Sequence, residues 1–448
     1  MSIQTDELLI DKSRMHSRDV GVQNRADDCA LPIVIGVTGH RHLDPASVRS
    51  LEGVVAKLFD DVRRDYPSSP LVVLSPLAEG ADRLVARIGL AAGANLVVPL
   101  PFDPEHYRSD FATDESQREF DDFVARASRH FVLPLLDGHA AESTADAGLG
   151  RDLHYAQVGA YIARTSQILI ALWDGDTRVR KGGTADVVYF RLHGAPPELV
   201  PVGAMLDAPL SGPLYHVVTP SPTTPVPQFA PLSVRTMYPS GYESDAAAAT
   251  SFSAKLQSFD RFNRDERKLR SRLAAARVRS RESIAPTLMH RELDVDERQL
   301  VERFVVADTL ALHYGRRSLF ALIGIIAGVF VAVLAFEIYG HLLPNEHWLL
   351  GGYLAALIVA WLVQRVAGAG EYQAKYLDYR ALAEGLRVQL FWWIAGLHDD
   401  VADHYMRKQR SVLDWIRDAI RTWSIGGEAR TAKDSDVAAS EARFAIVI

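Results

Sequence analysis

LFALIGIIAGVFVAVLAF (residues 319–336) and WLLGGYLAALIVAWLV (residues 348–363) are two runs without a charged side chain. An α-helix rises about 1.5 Å per residue and the apolar core of a bilayer is about 30 Å thick, so each run nearly spans it. With a few flanking residues, the runs predict a hairpin of transmembrane helices at about 318–338 and 347–365. The alternative is a pair of helices buried in a soluble core, although core helices usually keep a polar stripe.

Basic residues flank this predicted hairpin on one side only. Arg316 and Arg317 precede the first run and Arg365 follows the second, whereas the connection 337–347 has no Lys or Arg. Because basic flanks stay in the cytoplasm, we expect a multi-pass protein of the inner (cytoplasmic) membrane with both termini cytoplasmic. Glu337, at the far end of the first run, is either a plain interfacial acid or a residue that biases passage toward cations.

Small residues recur at every fourth position in both runs. Gly324 and Gly328 form a Gly-x-x-x-Gly pattern, and Gly352, Ala356 and Ala360 repeat the spacing in the second run. Such spacing lets helix backbones approach closely in a bilayer. Small residues scattered by chance in an Ala-rich chain explain the pattern equally well.

Composition limits the class of protein. The chain has 448 residues, 48% of them hydrophobic, which leaves room for two or three domains with real cores. The net charge of -7 argues against a nucleic-acid partner, and the single Cys29 excludes an internal disulfide and fits a reducing compartment. Histidine spacing predicts no metal site. The polar residues 1–30 lack the apolar core of a signal peptide and are expected to be flexible.

Short apolar runs alternate with helix-like segments after residue 30. The runs that read as buried strands are IVIGVTG (33–39), LVVLSPL (71–77), NLVVPLP (95–101), HFVLPL (130–135) and ILIALWD (168–174). Segments 46–65 and 81–92 between them have helical spacing. This order predicts a Rossmann-like, doubly wound parallel α/β sheet, with late strands near Leu199 and Leu214. In such sheets a ligand binds beyond the carboxyl ends of the strands, where the strand order reverses.

Three stretches fall at predicted strand ends and supply candidate ligand-binding residues. In GVTGHRHL (36–43), the glycines let the backbone approach a phosphate and the arginine can pair with it. The candidates from this stretch are Gly36, Thr38, Gly39, His40 and Arg41. A glycine turn after a strand is common, so this stretch alone is weak.

The other two stretches each combine a glycine turn with the start of a helix. In SPLAEGADRLVA (75–86), helix amides would face the ligand and acids would take ribose hydroxyls, or the acids simply favour the helix dipole. WDGDTRVRKGGTADVVYF (173–190) contains a stronger anion cradle, and its tryptophan either stacks on a base or packs at the strand end. The candidates from the two stretches are Glu79, Gly80, Asp82, Arg83, Trp173, Asp174, Gly182, Gly183 and Thr184.

GVTGHR, LAEGADRL, YAQVGAYIARTSQILIALWDG and KGGTADVV, in this order, resemble the SLOG superfamily over about residues 31–219. That group of Rossmann-like domains includes LOG phosphoribohydrolases, single-strand DNA-binding proteins and nucleotide-sensing domains of bacterial conflict systems. The resemblance implies a nucleotide-derived ligand, such as a cyclic oligonucleotide or an NAD-derived signal, and no other cofactor. HYRSDF (106–111) is either part of the pocket closure of this family or a surface loop.

One departure from the LOG pattern bears on catalysis. The catalytic glutamate of Gly-Gly-x-Gly-Thr-x-x-Glu aligns with Val187, and Asp186 is one position off, which is about 100° of helix rotation. We therefore assign no catalytic residue. The alternative function is a membrane-tethered nucleotide N-glycosidase that uses Glu79, Asp82 or Asp186 as acid or nucleophile.

The remainder of the chain divides at a Pro-rich stretch. Eight prolines between residues 209 and 239 predict a linker, placed at 220–250, without a compact regular element. Residues 251–423 are then a helical membrane domain, and residues 424–448 a flexible tail. VADTLALHYGRRSLF (306–320) and YRALAEGLRVQLFWW (379–393), on either side of the hairpin, resemble the SLATT effector domains.

Two features of the helical region leave alternatives open. The residues that form heptad-like seams are Leu293, Leu300, Phe304, Ala307, Ala311 and Tyr314 before the hairpin, and Tyr372, Tyr376, Tyr379, Ala383, Leu386, Leu390, Trp393 and Leu397 after it. Either the two extensions pack on each other or the seams join subunits. Nine basic residues against two acids in 261–281 form a lipid-binding face, a solvated face or, least favoured, a nucleic-acid site.

The resemblances together favour a ligand-gated membrane effector. A nucleotide-derived signal would change the assembly or tilt of the hairpins and permeabilise the membrane, in bacterial antiviral or conflict defence. One hairpin cannot enclose a pore, so we expect a homo-oligomer in the lipid bilayer. A DNA-binding module is disfavoured because the acidic chain offers no general attraction for phosphates.

Overall fold

The computed structural model describes residues 29–136, 148–177, 181–200, 212–220, 229–288, 293–397, 399–404 and 413–427. Within these ranges, seven strands form one sheet: β1 (Ile33–Gly39), β2 (Leu71–Leu74), β3 (Asn95–Leu100), β4 (Arg129–Val132), β5 (Ile168–Trp173), β6 (Leu214–Val218) and β7 (Val234–Met237). The strand order is β4-β3-β2-β1-β5-β6-β7, and all neighbours are parallel except β6 and β7. The prediction of a Rossmann-like parallel sheet is confirmed. Its strand order reverses between β1 and β5.

Helices cover both faces of this sheet. The helices of the α/β region are α1 (Pro45–Asp65), α2 (Ala81–Ala91), α3 (Pro104–Arg108), α4 (Asp114–Arg126), α5 (Leu149–Thr165) and α6 (Thr184–His193). Alternate β1 residues serve opposite faces: Ile33 and Ile35 belong to the core with α1 and α2, whereas Val34 packs with α5 and α6. Period-two alternation within a wholly apolar strand is what a sheet buried on both sides requires.

The Pro-rich stretch contains regular structure, contrary to our expectation. β7 has no proline in its four residues and pairs with β6 as an antiparallel edge strand, where few ladder bonds are needed. A new helix, α7 (Asp245–Leu269), begins within the segment predicted as linker, where the Ser244 side chain accepts a hydrogen bond from Ala247 N. Near Leu199 the chain forms a 3-10 turn (Pro197–Leu199), and the rest of the strand predicted there lies outside the described residues.

In the described part of the helical region, six further helices follow α7. They are α8 (Ala274–Leu288), α9 (Val295–His341), α10 (Trp348–Ala369), α11 (Tyr372–Ile394), α12 (Val401–His404) and α13 (Asp414–Trp423). Asp294 and Glu297 form a capping box that starts α9. The polar extension of α9 packs along α11, and their buried core includes the seam residues Leu300, Ala307, Tyr379 and Leu386. The extensions therefore pack on each other. Leu397, predicted as the end of the second seam, is exposed.

Beyond Tyr314 the buried core of α9 ends and an exposed apolar surface begins. Phe320 and Phe330 are 70% and 66% exposed, and Trp361 on α10 is 60% exposed. Only 6% and 11% of the most apolar windows in the two segments are buried. Burial in a soluble core, the alternative considered above, is therefore wrong for these helices. α9 and the α10–α11 segment are long and apolar enough to cross a membrane.

Small residues bring α9 and α10 close together. A Cβ atom on Gly328 would lie 3.0 Å from Ala360 Cβ and 3.3 Å from Ala356 O, and one on Gly324 would lie 3.7 Å from Val363. A Cβ atom on Gly352 would meet open space, so Gly352 takes no part in the contact between α9 and α10. The small residues of α9 are therefore a packing feature, and on α10 the two alanines serve this contact.

The helical region docks on the amino ends of the parallel strands. Asn263 of α7 accepts a hydrogen bond from Leu31 N (2.7 Å) and donates to Leu31 O (2.8 Å), just before β1. Gln167, just before β5, donates to Thr422 (3.0 Å) on α13. Leu31 also shares one apolar core with α7, α9, α11 and α13. The sheet and the helical region are thus joined by a common core.

The predicted ends of the chain are described only in part. Residues 1–28 and 428–448 lie outside the described residues. Residues 424–427, predicted as the start of the flexible tail, pack on the protein, because Ser424 is buried and Gly426 N donates to the Tyr161 hydroxyl (3.1 Å).

We predict that Gly328→Leu destabilises the pair formed by α9 and α10, whereas Gly352→Leu does not. Extra atoms in a close helix contact force the backbones apart and cost about 1–3 kcal/mol. Thermal unfolding of the full chain in one detergent measures both variants against the parent. Equal melting temperatures for the two variants would contradict the close contact at Gly328.

Candidate functional site

The carboxyl ends of β1 and β5 meet where the strand order reverses, and the first predicted stretch lies there. His40 N donates to Leu172 O (3.0 Å). His40 Nε2 in turn accepts a hydrogen bond from Asp174 N (3.0 Å), and burial lowers the pKa of His40. The neutral ring therefore ties the two strand ends together. His40 and Asp174 build the edge on which a ligand would rest.

The glycines of the first stretch make room for helices. A Cβ on Gly36 would lie 2.6 Å from Ser166 Oγ, and one on Gly39 would lie 2.4 Å from Ala81 Cβ. Thr38 is buried within β1. Gly36 and Gly39 thus admit α5 and α2 against the sheet, and the phosphate approach predicted for them has no support from these contacts. Arg41, in contrast, is exposed at the carboxyl edge.

The second stretch folds beneath the loop that follows β1. Gly80 has φ +78°, and a Cβ there would lie 2.3 Å from Arg41 O, so glycine is required. Ala81 N donates to His40 O (3.0 Å), so the first backbone N–H group of α2 is already hydrogen-bonded within the protein. Leu77 in the same loop also has positive φ, 61°, a strained backbone that the packing around it maintains.

The charged residues of the second stretch serve mainly to hold the loop. Arg83 is 2% exposed and donates to Leu77 O (3.0 Å) and Glu119 (2.9 Å), so its guanidinium lies in the interior and is held by the protein. Glu79 accepts a hydrogen bond from the Ser116 hydroxyl. Asp82 is 5% exposed and accepts from Ala78 N (3.3 Å); burial raises the pKa of its carboxyl to about 7.

The glycine turn of the third stretch forms as predicted, but part of it already holds a carboxylate. Gly182 has φ +73°, and its N–H donates to Asp186 Oδ2 (2.9 Å). Gly183 is the N-cap of α6 and Thr184 its first residue, and both are half-buried. Trp173 is buried and its carbonyl accepts a hydrogen bond from His216 Nε2 (2.9 Å), so the packing alternative describes this ring.

A cluster of polar residues that our site prediction left out lies beside Arg41. The α3–α5 cluster consists of His106, Asp110, Arg151 and Tyr155. Arg151 and Tyr155 both donate to the Asp110 carboxylate, and Arg151 Nη1 lies 2.7 Å from His106 Nε2. The i, i+4 spacing of Arg151 and Tyr155 on one face of α5 was a signal for it, and HYRSDF was the other.

Tyr155 joins the predicted stretches to this cluster. The Arg41 guanidinium lies 5.5 Å from the centre of the Tyr155 ring, and a Cβ on Gly182 would lie 2.9 Å from Tyr155 Cβ. The structure therefore brings Arg41, the α3–α5 cluster and the start of α6 together. The Arg41 guanidinium, an aromatic ring and a glycine turn can bind a phosphorylated ligand, while the Asp110 carboxylate holds Arg151 beside them.

The carboxyl edge has fewer groups suited to catalysis than groups suited to phosphate binding. Val187, at the position of the LOG glutamate, is buried and packs against Gly159, where a Cβ would lie 2.5 Å from Val187 Cγ2. Asp186 is engaged by Gly182 N, and burial raises the pKa of its carboxyl. Among the described residues, no group of three His, Cys, Asp or Glu side chains is arranged to hold a metal ion. The arrangement suits binding better than bond cleavage.

We predict that Asp82→Asn reduces the loss of stability on going from pH 5 to pH 7. The folded protein raises the pKa of the Asp82 carboxyl from 3.8 to about 7. Its stabilising contribution is thus fully present below about pH 3.8 and is lost as the pH rises through about 7, and the part lost between pH 5 and pH 7 is about 2–3 kcal/mol. Melting temperatures at both pH values measure it. The control variant Asp114→Asn removes one carboxyl from an exposed position in the first turn of α4. A profile of Asp82→Asn that matches the profile of the parent would contradict the assignment.

Comparison with known proteins does not extend the resemblance described above. No protein-family model matches the chain, and no curated protein matches it in sequence. The function is therefore argued from the geometry of the carboxyl edge and of the helical region.

Proposed function

We propose that this protein is a sensor of a nucleotide-derived ligand that controls a membrane-permeabilising helical hairpin. The observation that carries the proposal is the placement of two unlike surfaces on one core. An edge with exposed Arg41 and the α3–α5 cluster lies at the carboxyl ends of the strands. The helices with an exposed apolar surface belong to the region docked on the amino ends.

The ligand is proposed to lie at the carboxyl edge with its phosphate near Arg41 and the glycine turn at Gly182–Thr184. Arginine binds phosphate through paired N–H donors, and the first amides of a helix add a favourable dipole. Tyr155 offers a ring on which a base can stack, next to Arg41 (5.5 Å). The resemblance to the SLOG superfamily supports a nucleotide-derived compound as the ligand.

The apolar segments are proposed to cross the membrane as a hairpin with both polar extensions on the cytoplasmic side. Support comes from Arg316, Arg317 and Arg365 at one end, and from the absence of Lys and Arg between residues 337 and 347. A single pair of helices encloses no pore, so permeabilisation requires several subunits. The resemblance to SLATT effectors supports this role, and we propose that it serves bacterial defence.

α5 is the proposed connection between the two surfaces. It carries Arg151 and Tyr155 in its first turns and Arg164 in its last, and 17 residues of helix extend about 25 Å. Arg164 donates to the Asp403 carboxylate (2.9 Å), which also accepts from Arg421 (2.7 Å). A ligand that binds more tightly when α5 is in one of two positions would shift the equilibrium between the two states of the helical region. The shift in free energy would equal the difference between its binding free energies for the two positions.

The first experiment tests binding with the full chain, because the sheet shares its core with the helical region. Purified protein in detergent is mixed with cyclic oligonucleotides, ADP-ribose relatives and plain nucleotides, and its melting temperature and the integrity of the compound are measured together. We expect one compound to raise the melting temperature and to remain intact. Arg41→Ala and Gly183→Asp should abolish this shift.

Arg63→Ala is the matched control, since Arg63 is exposed in the last turn of α1 and its loss changes the charge equally. It should keep the full shift. Consumption of the compound with multiple turnover would instead favour the N-glycosidase, and Glu79, Asp82 and Asp186 would be tested next. No shift with any compound would contradict the sensor.

We further predict that Arg164→Ala separates binding from permeabilisation. Asp403 keeps Arg421 as a partner, so no buried carboxylate is left without a cation and the fold should persist. The stabilising ligand should still raise the melting temperature, whereas ligand-dependent release of dye from proteoliposomes should fall about tenfold for a coupling of about 1.4 kcal/mol. Unchanged dye release would show that α5 is not the connection.

A further inference from the structure

A cleft with a volume of about 410 Å³ lies between α8 and α9, far along the chain from the sheet edge described above. Its lining residues include Arg272 and Arg279 from the α8 side, and Arg316, Arg317 and Phe320 from α9. The two arginines of α9 immediately precede the apolar run that starts at residue 319. Phe320, 70% exposed, belongs both to the cleft and to the apolar surface of α9.

The basic stretch 261–281 divides into arginines with and without carboxylate partners. Glu266 holds Arg270 and Arg277 at 2.8 and 2.7 Å. Further contacts in the stretch are those of Arg261 with Asp378 and Glu371, Arg264 with Asp260, Arg281 with Glu302, and Arg267 with Ser68 O. In the described part of the chain, Arg272 and Arg279 have no carboxylate oxygen within 4.0 Å, and both line the cleft.

The one acid that lines the cleft does not offset these charges. Asp308 is 6% exposed, accepts a hydrogen bond from Ser280 Oγ (2.7 Å) and pairs with Arg380 (3.0 Å). Its carboxylate is thus already neutralised from the α11 side. His313 also lines the cleft, and burial, together with nearby Arg317 and Arg272, lowers the pKa of its ring. The cleft therefore has a net positive charge, supplied by its four arginine side chains.

We propose that this cleft binds the phosphate headgroup of an anionic phospholipid. Arginine groups bind phosphate oxygens strongly, and the volume is of the size that small ligands occupy. A lipid is favoured over a soluble phosphate because Leu312 and Phe320 give the cleft exposed apolar walls next to the arginines, and an acyl chain can continue along α9. Bound there, the lipid would join α8 to the base of the apolar segment.

This inference rests on the membrane location in the proposed function and is independent of nucleotide sensing. The test therefore uses detergent-solubilised full chain, which requires neither the nucleotide nor a bilayer. Phosphatidylglycerol, phosphatidylcholine and inorganic phosphate are titrated separately, and bound lipid is counted by native mass spectrometry. Melting curves verify that each variant is folded before its affinity is compared.

The test variant is Arg272→Gln/Arg279→Gln. Its matched control is Lys268→Gln/Arg63→Gln, which removes the same charge from exposed positions that do not line the cleft. We expect the test variant to bind phosphatidylglycerol about thirtyfold more weakly than the parent, since each basic contact to an anionic lipid contributes about a factor of five. The control should change by less than about threefold. Phosphatidylcholine should bind weakly to all three proteins.

Three results would overturn the proposal. Equal loss in the test and control variants would mean that net charge, and not the cleft, attracts the lipid. Unchanged phosphatidylglycerol affinity in the test variant would exclude the cleft directly. Inorganic phosphate that binds as tightly as phosphatidylglycerol, with the same dependence on Arg272 and Arg279, would identify a soluble phosphate ligand and not a lipid. Failure of the nucleotide experiment would leave all of these results interpretable.

Discussion

The contact between α7 and the chain just before β1 is the constraint on which the rest of the structure depends. The Asn263 side chain pairs with both backbone groups of Leu31, as a neighbouring strand would, and its Nδ2 also donates to Ser69 (2.9 Å). A buried amide is tolerated only when its donors and acceptors are all bonded, so this geometry fixes the position of α7. Phe259 and Phe262 then enter the same core as α9 and α11. The sheet and the helical region consequently behave as one packed unit.

A shared core at the amino ends leaves the carboxyl ends of the strands free for a ligand. Parallel strands direct all their carboxyl ends to one edge, and the crossover helices run back to the other. α5 therefore begins near Arg41 and ends beside Asp403. In the proposed function, a displacement of the first turn of α5 would move the whole helix, including Arg164, which donates to the same Asp403 carboxylate as Arg421. The Pro-rich stretch predicted a linker without a regular element, but the two regions are joined by a common core.

Sequence was informative where a pattern is local and limited where contacts are remote. Strands buried on both faces appear as continuous apolar runs, so the parallel sheet was predictable, whereas the strand order that sets its reversal point between β1 and β5 was not. The sequence pattern does not distinguish Arg41 from Arg83 as a ligand-binding residue. Arg83 nevertheless lies in the interior, because its guanidinium donates hydrogen bonds to Ser116 and Glu119, more than thirty residues away. Gly36 and Gly39 indicate close approach, but the sequence does not say that Ser166 and Ala81 are what approaches. The short β7 escaped detection because its neighbours are rich in proline.

Charge in this chain is better understood from the partners of each arginine than from the net value of -7. Hydrogen bonds from Arg270 and Arg277 hold the pKa of Glu266 below its ordinary value despite burial. A phosphate that recruited either arginine would weaken the pairing of a carboxylate that is only 3% exposed, which is costly. In the described part of the chain, no carboxylate forms an ion pair with Arg272, Arg279 or Arg316. An acidic protein can therefore bind an anion strongly at one place, because the buried carboxylates select which arginines remain available.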